Sequence, residues 1–179
     1  SGSTGNPKPI YVQRDAMVAS AKATGEWLNL VPNDLVLACL PVHYIAGAMV
    51  LVRAMVLDLR ICLVEPSVNP LRNLSPTSIQ LASFVPNQWH DILDSSIDLN
   101  SFFSHSKGIL LGGAALSESL AERTKVLAYP IFETYGMTET VSHVAYKKPF
   151  DINFHVLNEV EFGVDERSCL RLKGAVTNG

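Results

Sequence analysis

The sequence is poor in charge and has no long uninterrupted hydrophobic run. Only 17% of its 179 residues are charged, and the formal net charge is −3. No basic field is therefore available to attract nucleic acid or an anionic lipid surface. The longest apolar run, residues 45–57, is too short to cross a bilayer and is interrupted by Arg53. We expect neither nucleic-acid binding nor membrane insertion.

Cysteine is also scarce. Cys39, Cys62 and Cys169 each stand alone in an apolar run. An odd number of cysteines without paired spacing indicates reduced, buried thiols and predicts a cytoplasmic protein. No pair of Cys or His residues has the spacing of zinc ligands, so the sequence does not predict a site of that kind.

Apolar residues, by contrast, make up 47% of the chain, which is enough for a buried core. Short apolar runs alternate with segments of helical spacing over most of its length. The predicted helices cover residues 15–28, 47–58, 86–93 and 117–127, and the predicted strands cover residues 35–40, 60–64, 78–85, 107–111 and 130–132. This alternation predicts an α/β fold, in which helices flank a parallel sheet whose strands are buried on both faces.

Beyond residue 141 the pattern changes. Short strands are predicted at residues 154–157, 160–164 and 169–172, with turn residues and no helix between them. This pattern predicts a short antiparallel β segment after the parallel sheet. We therefore expect an α/β core over residues 1–145 and an antiparallel β subdomain over residues 146–179.

The chain begins Ser-Gly-Ser-Thr-Gly-Asn-Pro-Lys. Its glycines allow backbone N–H groups to converge on an anion, its hydroxyls add donors, and Lys8 adds positive charge. The Walker P-loop is excluded because Pro7 precedes Lys8 where that motif needs glycine, and Pro9 disfavours a helix at Lys8. The stretch predicts a phosphate-binding loop on an extended connection. A flexible polar turn stays open as the alternative.

Two further stretches follow predicted strands. Gly-Gly-Ala-Ala-Leu occupies residues 112–116, and Tyr-Gly-Met-Thr-Glu-Thr occupies residues 135–140. Ligands of open parallel sheets bind at the carboxyl ends of the strands. Small residues there let a flat ring approach the backbone, Tyr135 offers a ring for stacking, and Glu139 offers a carboxylate for a hard cation. Taken singly, the first stretch is explained by a tight turn between a strand and a helix, and the second by a loop that carries one acidic residue.

In this order and context the three stretches resemble the adenylate-forming superfamily of acyl-CoA synthetases, luciferases and peptide-synthetase adenylation domains. The resemblance covers essentially the whole chain. It implies that the chain is the central part of the large N-terminal domain of such an enzyme. It implies ATP-dependent activation of a small-molecule carboxylic acid to acyl-AMP, followed by transfer to CoA. The expected cofactors and co-substrates are ATP, Mg²⁺ and CoA, bound by the α/β core.

The resemblance also implies roles for individual residues. Thr138 and Glu139 are implied as catalytic, Thr138 through phosphate and Glu139 as the Mg²⁺ ligand. Adenine is implied to lie between the Gly-Gly segment and Tyr135. The residues implied to bind ATP are Ser1, Gly2, Ser3, Thr4, Gly5, Lys8, Gly112, Gly113, Ala114, Tyr135, Gly136 and Thr138.

Residues 40–47, Leu-Pro-Val-His-Tyr-Ile-Ala-Gly, followed by Arg53 in an apolar helix, resemble the o-succinylbenzoate–CoA ligases of menaquinone biosynthesis. In those ligases the loop usually carries His where this chain, aligned on Gly47, has Tyr44, and His43 is one place early. The resemblance therefore implies that Tyr44 gates the acid pocket. Arg53 stands among apolar residues of a predicted helix and needs a partner if it is buried, so we expect it to bind a second carboxylate of the acid. A snorkelling or helix-capping role is the alternative for Arg53.

Three other functions stay open: another acyl-CoA synthetase, an adenylation domain that loads a carrier protein, and a non-catalytic nucleotide-binding module. The ribose-binding Asp, the C-terminal lid domain and the N-terminal segment of the superfamily are absent from the chain. We therefore expect a core fragment that is inactive alone. The sequence leaves a homodimer open.

Overall fold

A computed structural model describes residues 9–158 and 160–176 of the chain. The strands are Leu35–Ala38 (β1), Arg60–Leu63 (β2), Leu81–Phe84 (β3), Gly108–Leu111 (β4), Ile131–Gly136 (β5), His143–Lys147 (β6), His155–Val156 (β7), Val160–Val164 (β8) and Leu170–Gly174 (β9). Strands β1 to β7 form one sheet in the order β2-β1-β3-β4-β5-β6-β7, and β8 and β9 form a second, two-stranded sheet. The predicted α/β fold is confirmed, because β1 to β5 are parallel and β8–β9 is an antiparallel hairpin.

Five α-helices lie in the described residues: Arg14–Trp27 (α1), Ile45–Leu57 (α2), Pro86–Asp94 (α3), Asn100–Phe103 (α4) and Glu118–Lys125 (α5). Helix α3 begins at Pro86, and the N–H that proline lacks would have no partner within the helix at this first position. Helix α5 begins after Ser117, whose Oγ accepts the backbone N–H of Leu120 at 3.3 Å. The sequence predicts four of these helices to within a few residues and misses only the short α4.

The core has two layers, one on each face of the sheet. Val36 and Leu81 pack with residues of α1 and α2, whereas their neighbours Leu37 and Ala82 pack with residues of α3, α4 and α5. Successive strand residues point to opposite faces, so both faces of β1 and β3 are covered by helices. The largest wholly buried side chain, Trp89, donates its indole N–H to Thr124 Oγ1 at 2.9 Å and so joins α3 to α5.

The end of the sheet differs from the prediction. Strand β6 is absent from the sequence prediction, and it pairs antiparallel with β5 while β7 pairs antiparallel with β6. These two strands extend the large sheet, so the predicted division between residues 145 and 146 falls inside β6. The separate hairpin begins at Val160. The division into two subdomains stays a prediction.

Two predictions about burial are wrong. Strand β2 is not buried on both faces: it is the edge strand of the described sheet, with β1 as its neighbour, and Leu63 is 75% exposed. The three cysteines are free, but only Cys39 is fully buried, while Cys62 is half-buried and Cys169 is exposed in the turn between β8 and β9. Most residues of this hairpin are exposed, and the thiol of Cys169 likewise faces solvent. No helix of the described residues is long and apolar enough to span a bilayer.

Candidate active site

A cavity of about 130 Å³ lies where β3, β4 and β5 end and α2 begins. Ser83 and Val85 border it from the end of β3, Gly112 and Gly113 from the segment after β4, and Arg53 from α2. Ile45, Thr134, Gly136, Met137, Ser142 and His143 also line it. The cavity therefore occupies the carboxyl edge of a parallel sheet, where ligands of open α/β folds bind.

The structure brings four of the predicted site residues together in this lining: Arg53, Gly112, Gly113 and Gly136. Five others are described but do not belong to it: Tyr44, Ala114, Tyr135, Thr138 and Glu139. The predicted phosphate-binding residues Ser1, Gly2, Ser3, Thr4, Gly5 and Lys8 lie outside the described residues. The structure thus joins the last two glycine-containing stretches with Arg53 around one cavity.

Glycine is required where the two stretches approach each other. A Cβ added to Gly112 would lie 2.6 Å from Thr134 Oγ1, closer than side-chain contacts normally are. A Cβ added to Gly136 would collide with the backbone of Ser142 and His143, at the point where the β5–β6 register shifts. Backbone rather than side chain therefore borders the cavity at these positions, and a flat ligand can come close to it.

The segment after β5 turns through a 3₁₀ helix, Thr138–Thr140. The Thr140 hydroxyl fixes this turn, because its Oγ1 accepts the N–H of Met137 at 2.9 Å and lies 2.8 Å from the carbonyl oxygen of Ser142. Glu139, in the middle of the turn, is exposed. Among the described residues no three His, Cys, Asp or Glu side chains cluster as a metal site. A lone exposed carboxylate still suits Mg²⁺, which is commonly held by one or two carboxylates together with substrate phosphates.

Arg53 is the second-largest wholly buried side chain of the described residues, with 2% of its surface exposed. Its Nε donates to Thr24 Oγ1 at 3.2 Å, and its Nη2 donates to Ser142 Oγ at 2.9 Å and to His143 Nδ1 at 3.4 Å. Within the described part of the chain it has no carboxylate partner at ion-pair distance. Burial lowers the pKa of Arg53 to about 10, so the guanidinium remains charged at neutral pH.

His143 has a defined tautomer because of these contacts. Its Nδ1 faces the Nη2 donor of Arg53 and must accept, so the ring proton lies on Nε2, 3.2 Å from Thr24 Oγ1. The Thr24 hydroxyl donates in turn to the Ser20 carbonyl at 2.9 Å. Burial, and then the nearby charge of Arg53, lower the pKa of His143 well below its usual value. The imidazole is therefore neutral in the folded protein.

The sequence gives no signal for Thr24 or His143 as partners of Arg53. Thr24 lies on α1 and is 29 residues before Arg53, while His143 lies on β6 and is 90 residues after it. Ser142 and His143 lie just beyond the third stretch, which ends at residue 140, but nothing in the sequence links them to Arg53. Only the packing of α1 against α2, and the return of the chain along β6, bring the four side chains together.

A second cluster, of aromatic and charged side chains, contacts the ring of Tyr135. Its ring meets the ring of Phe154 edge to face, with centroids 6.0 Å apart. The Nζ of Lys147 lies 5.1 Å from the centre of the Phe154 ring and 3.2 Å from Glu133 Oε2. Glu133 and Lys147 are both largely buried, so their ion pair fixes the ammonium against Phe154. The ring of Tyr135 thus contacts Phe154, against which the Glu133–Lys147 pair places an ammonium group.

The neutral state of His143 leads to a prediction about stability. In the unfolded chain its imidazole has its ordinary pKa of 6.5, whereas in the folded protein the pKa is lower, so the unfolded state binds the proton first. The free energy of unfolding should therefore fall as the pH drops below about 6.5, by up to about 1.4 kcal/mol per pH unit from this group.

Urea unfolding at several pH values between about 5 and 8 measures this slope. We expect His143→Gln to have a smaller slope than the unsubstituted protein in this window, since glutamine does not titrate. Equal slopes would contradict the prediction, and His105→Gln, a change at an exposed imidazole with no ion pair in the described part of the chain, is the matched control.

Comparison with known proteins agrees with this architecture. A family model described as AMP-binding enzyme matches residues 1–162. A 2-succinylbenzoate–CoA ligase of Staphylococcus epidermidis is 32% identical over 151 residues, which are 83% of this chain and 31% of that protein. A corresponding ligase of Bacillus cytotoxicus is 29% identical over 80% of this chain and 30% of that protein. The chain thus spans about a third of the length of these curated relatives.

Solved structures show the same fold. An acyl-CoA synthetase (AMP-forming)/AMP-acid ligase II-like protein of Dyadobacter fermentans superposes with a TM-score of 0.89 at 44% identity, over 100% of this chain and 52% of that chain. The o-succinylbenzoate coenzyme A synthetase of Bacillus subtilis, solved with ATP and magnesium ion, superposes with a TM-score of 0.85 at 23% identity, over 99% of this chain and 40% of that chain. The chain belongs to the AMP-binding enzyme family.

Proposed function

We propose that the full-length protein that carries this chain is an AMP-forming acid–CoA ligase whose acid has a second carboxylate, as o-succinylbenzoate does. Arg53 is the observation that carries this proposal. A buried guanidinium without a carboxylate partner is costly, and an anionic ligand in the adjoining cavity would supply the missing charge. The ligase names of the relatives support the same reaction class.

The cavity also favours such an acid over an amino acid. An adenylation domain that loads an amino acid onto a carrier protein needs a group of opposite charge for the substrate amine. No described residue that lines the cavity is Asp or Glu, and its charged member is Arg53. The apolar side chains of Leu40, Ile45, Phe84 and Val85 instead provide a surface for a ring.

We infer the following roles for the other residues. The Gly112–Gly113 segment and Tyr135 hold adenine, with Tyr135 supported by Phe154. Thr138 binds the phosphate next to the reacting carboxylate, and Glu139 holds Mg²⁺, which when bound neutralises phosphate charge. Tyr44, at the start of α2 and 63% exposed, covers the entrance of the acid pocket. Ser1, Gly2, Ser3, Thr4, Gly5 and Lys8 hold the departing phosphates.

In this arrangement the chain contributes mainly position and charge. One carboxylate of the acid attacks the α-phosphate of ATP, pyrophosphate leaves, and acyl-AMP forms; the CoA thiol then displaces AMP to give the thioester. Arg53 would hold the second carboxylate away from the phosphate, so only one carboxylate is positioned to react. Alignment of this kind is a large part of catalysis for acyl and phosphoryl transfer.

An acid-dependent pyrophosphate exchange assay on the full-length protein tests the proposal. The panel contains o-succinylbenzoate, benzoate, a medium-chain fatty acid and an amino acid. We expect exchange with o-succinylbenzoate to exceed exchange with benzoate, which has a single carboxylate, by at least about tenfold in kcat/KM. Preference for the amino acid would favour the carrier-protein-loading alternative. Exchange with none of the acids, together with intact ATP binding, would favour a non-catalytic nucleotide-binding module.

A further inference from the structure

Arg53 has hydrogen-bonding capacity that no described residue uses. Of its three nitrogens, Nε is bonded to Thr24 and Nη2 to Ser142 and His143, while Nη1 has no partner among the described residues. The one fully buried side-chain nitrogen or oxygen without a partner in that part of the chain is Ser20 Oγ. Nη1 is thus not sealed in the interior, and Arg53 lines the cavity. Its free donors are those that a ligand can reach.

Thr24 is the residue that fixes this orientation. Its Oγ1 accepts from Arg53 Nε and from His143 Nε2, and it donates to the Ser20 carbonyl one turn earlier on α1. One hydroxyl thus uses its donor and both acceptor positions. Thr24 is wholly buried and does not line the cavity, so it is not placed to contact a ligand itself.

His143 completes the arrangement from the opposite side. As a neutral imidazole it accepts from Arg53 through Nδ1 and donates to Thr24 through Nε2, which closes a ring of three side chains from α1, α2 and β6. The Trp27 ring packs against the imidazole at an interplanar angle of 65°, with ring centroids 5.8 Å apart. A protonated ring would lose the acceptor and place a second positive charge beside Arg53.

We propose that Thr24, acting with His143, is a positioning residue that occupies Nε and Nη2 of Arg53 and thereby directs Nη1 at the second carboxylate of the acid. This inference rests on the proposed function, since it assumes that Arg53 binds a carboxylate. It adds that specificity for a dicarboxylic acid depends on a hydroxyl on α1 that does not touch the acid. The specificity-determining group therefore includes a helix outside the cavity lining.

Thr24→Val tests this inference in the full-length protein, because valine keeps the shape of threonine and has a methyl group in place of the hydroxyl. Losing one shared hydrogen-bond acceptor should raise the KM for o-succinylbenzoate about five- to tenfold. The KM for ATP and the kinetic constants for benzoate should change less than about twofold. Thr24→Ser, which restores the hydroxyl, should return the KM for o-succinylbenzoate to within about threefold of the original value.

Thr124→Val is the matched control. Thr124 is likewise buried on a helix, donates to the carbonyl four residues earlier at 2.7 Å and accepts a donor, the Trp89 indole, but it lies away from the cavity. Thr124→Val should lower the thermal midpoint of unfolding, as Thr24→Val does, without altering the preference for o-succinylbenzoate over benzoate. If Thr24→Val lowers the midpoint and leaves that preference unchanged, Thr24 only supports the fold and the inference is wrong.

A double substitution separates this inference from the proposed function. In an Arg53→Met background, Thr24→Val should have no further effect on the KM for o-succinylbenzoate, because there is no guanidinium left to orient. If Arg53→Met itself leaves that KM unchanged, the carboxylate role of Arg53 fails and this inference fails with it. If Arg53→Met raises the KM and Thr24→Val does not, the proposed function stands and only the inference about Thr24 is overturned.

Discussion

Arg53→Ala in the full-length protein is expected to reduce kcat/KM for o-succinylbenzoate by at least about tenfold, chiefly through KM, while the KM for ATP changes little. The reason is the surroundings of Arg53: it is buried, charged, bordered by the cavity and without a carboxylate partner in the described chain. In the proposed complex Arg53 pairs with the second carboxylate of the acid. Removing one member of such a buried, hydrogen-bonded charge pair costs about 2–5 kcal/mol. Initial-rate kinetics with each substrate varied in turn measure the effect.

Two controls distinguish binding from folding in this experiment. Arg53→Met retains most of the apolar stem and volume, so it should lose the acid preference with a smaller loss of stability than Arg53→Ala. Arg53→Lys keeps the charge but cannot bond Thr24 and Ser142 as a planar guanidinium does, and we expect an intermediate KM. Equal damage to the KM values for ATP and acid would mean that Arg53 supports the fold rather than the acid.

Glu139→Gln in the same protein is expected to slow acyl-AMP formation by about 100-fold or more. Glu139 is exposed on the Thr138–Thr140 turn, where a change from Glu to Gln removes charge and leaves the backbone unaltered. A surface substitution of this kind usually changes stability by no more than about 0.5 kcal/mol. Loss of a metal ligand beside a reacting phosphate costs several kcal/mol of barrier. Pyrophosphate exchange at saturating acid measures the rate.

Glu122→Gln is the control for this substitution, because Glu122 is an exposed carboxylate on α5. It should leave both stability and exchange rate near the original values. The magnesium concentration that gives half-maximal exchange provides a second measurement, and it should rise in Glu139→Gln alone. Near-normal exchange in Glu139→Gln would assign Glu139 a structural part in the turn.

The sequence was sufficient for the parts of the fold that depend on local pattern. Apolar segments predicted β1, β3 and β4 as strands. The continuous apolar run at residues 35–40 also predicted that β1 is covered on both faces, because alternate residues of such a strand must each meet a helix layer. Ser117 and Pro86 marked the starts of α5 and α3, since capping and a fixed φ act within one turn. The glycines after β4 and at the end of β5 marked the edge of the sheet where the cavity lies.

Pairing between distant segments could not be predicted in this way. Strand β6 carries a buried His143 and a largely buried Lys147, and these polar residues interrupt the apolar pattern from which a strand is predicted. Their partners, Thr24 and Glu133, lie on other elements. Exposure of β2 is a second case, because an apolar run does not reveal that it will lie at the edge of the described sheet.

Arg53 shows where the two kinds of information meet. The sequence alone determined that a charged residue would lie within an apolar helix and would need a partner, since burying an unpaired charge is costly in any fold. Only the tertiary structure decided what that partner set is. The crossing of α1 and α2 and the return of β6 place a hydroxyl and a neutral imidazole on two of its nitrogens, and the third has no partner among the described residues. Hydrogen bonds between residues 29 and 90 positions apart depend on how elements pack, and no local pattern encodes that packing.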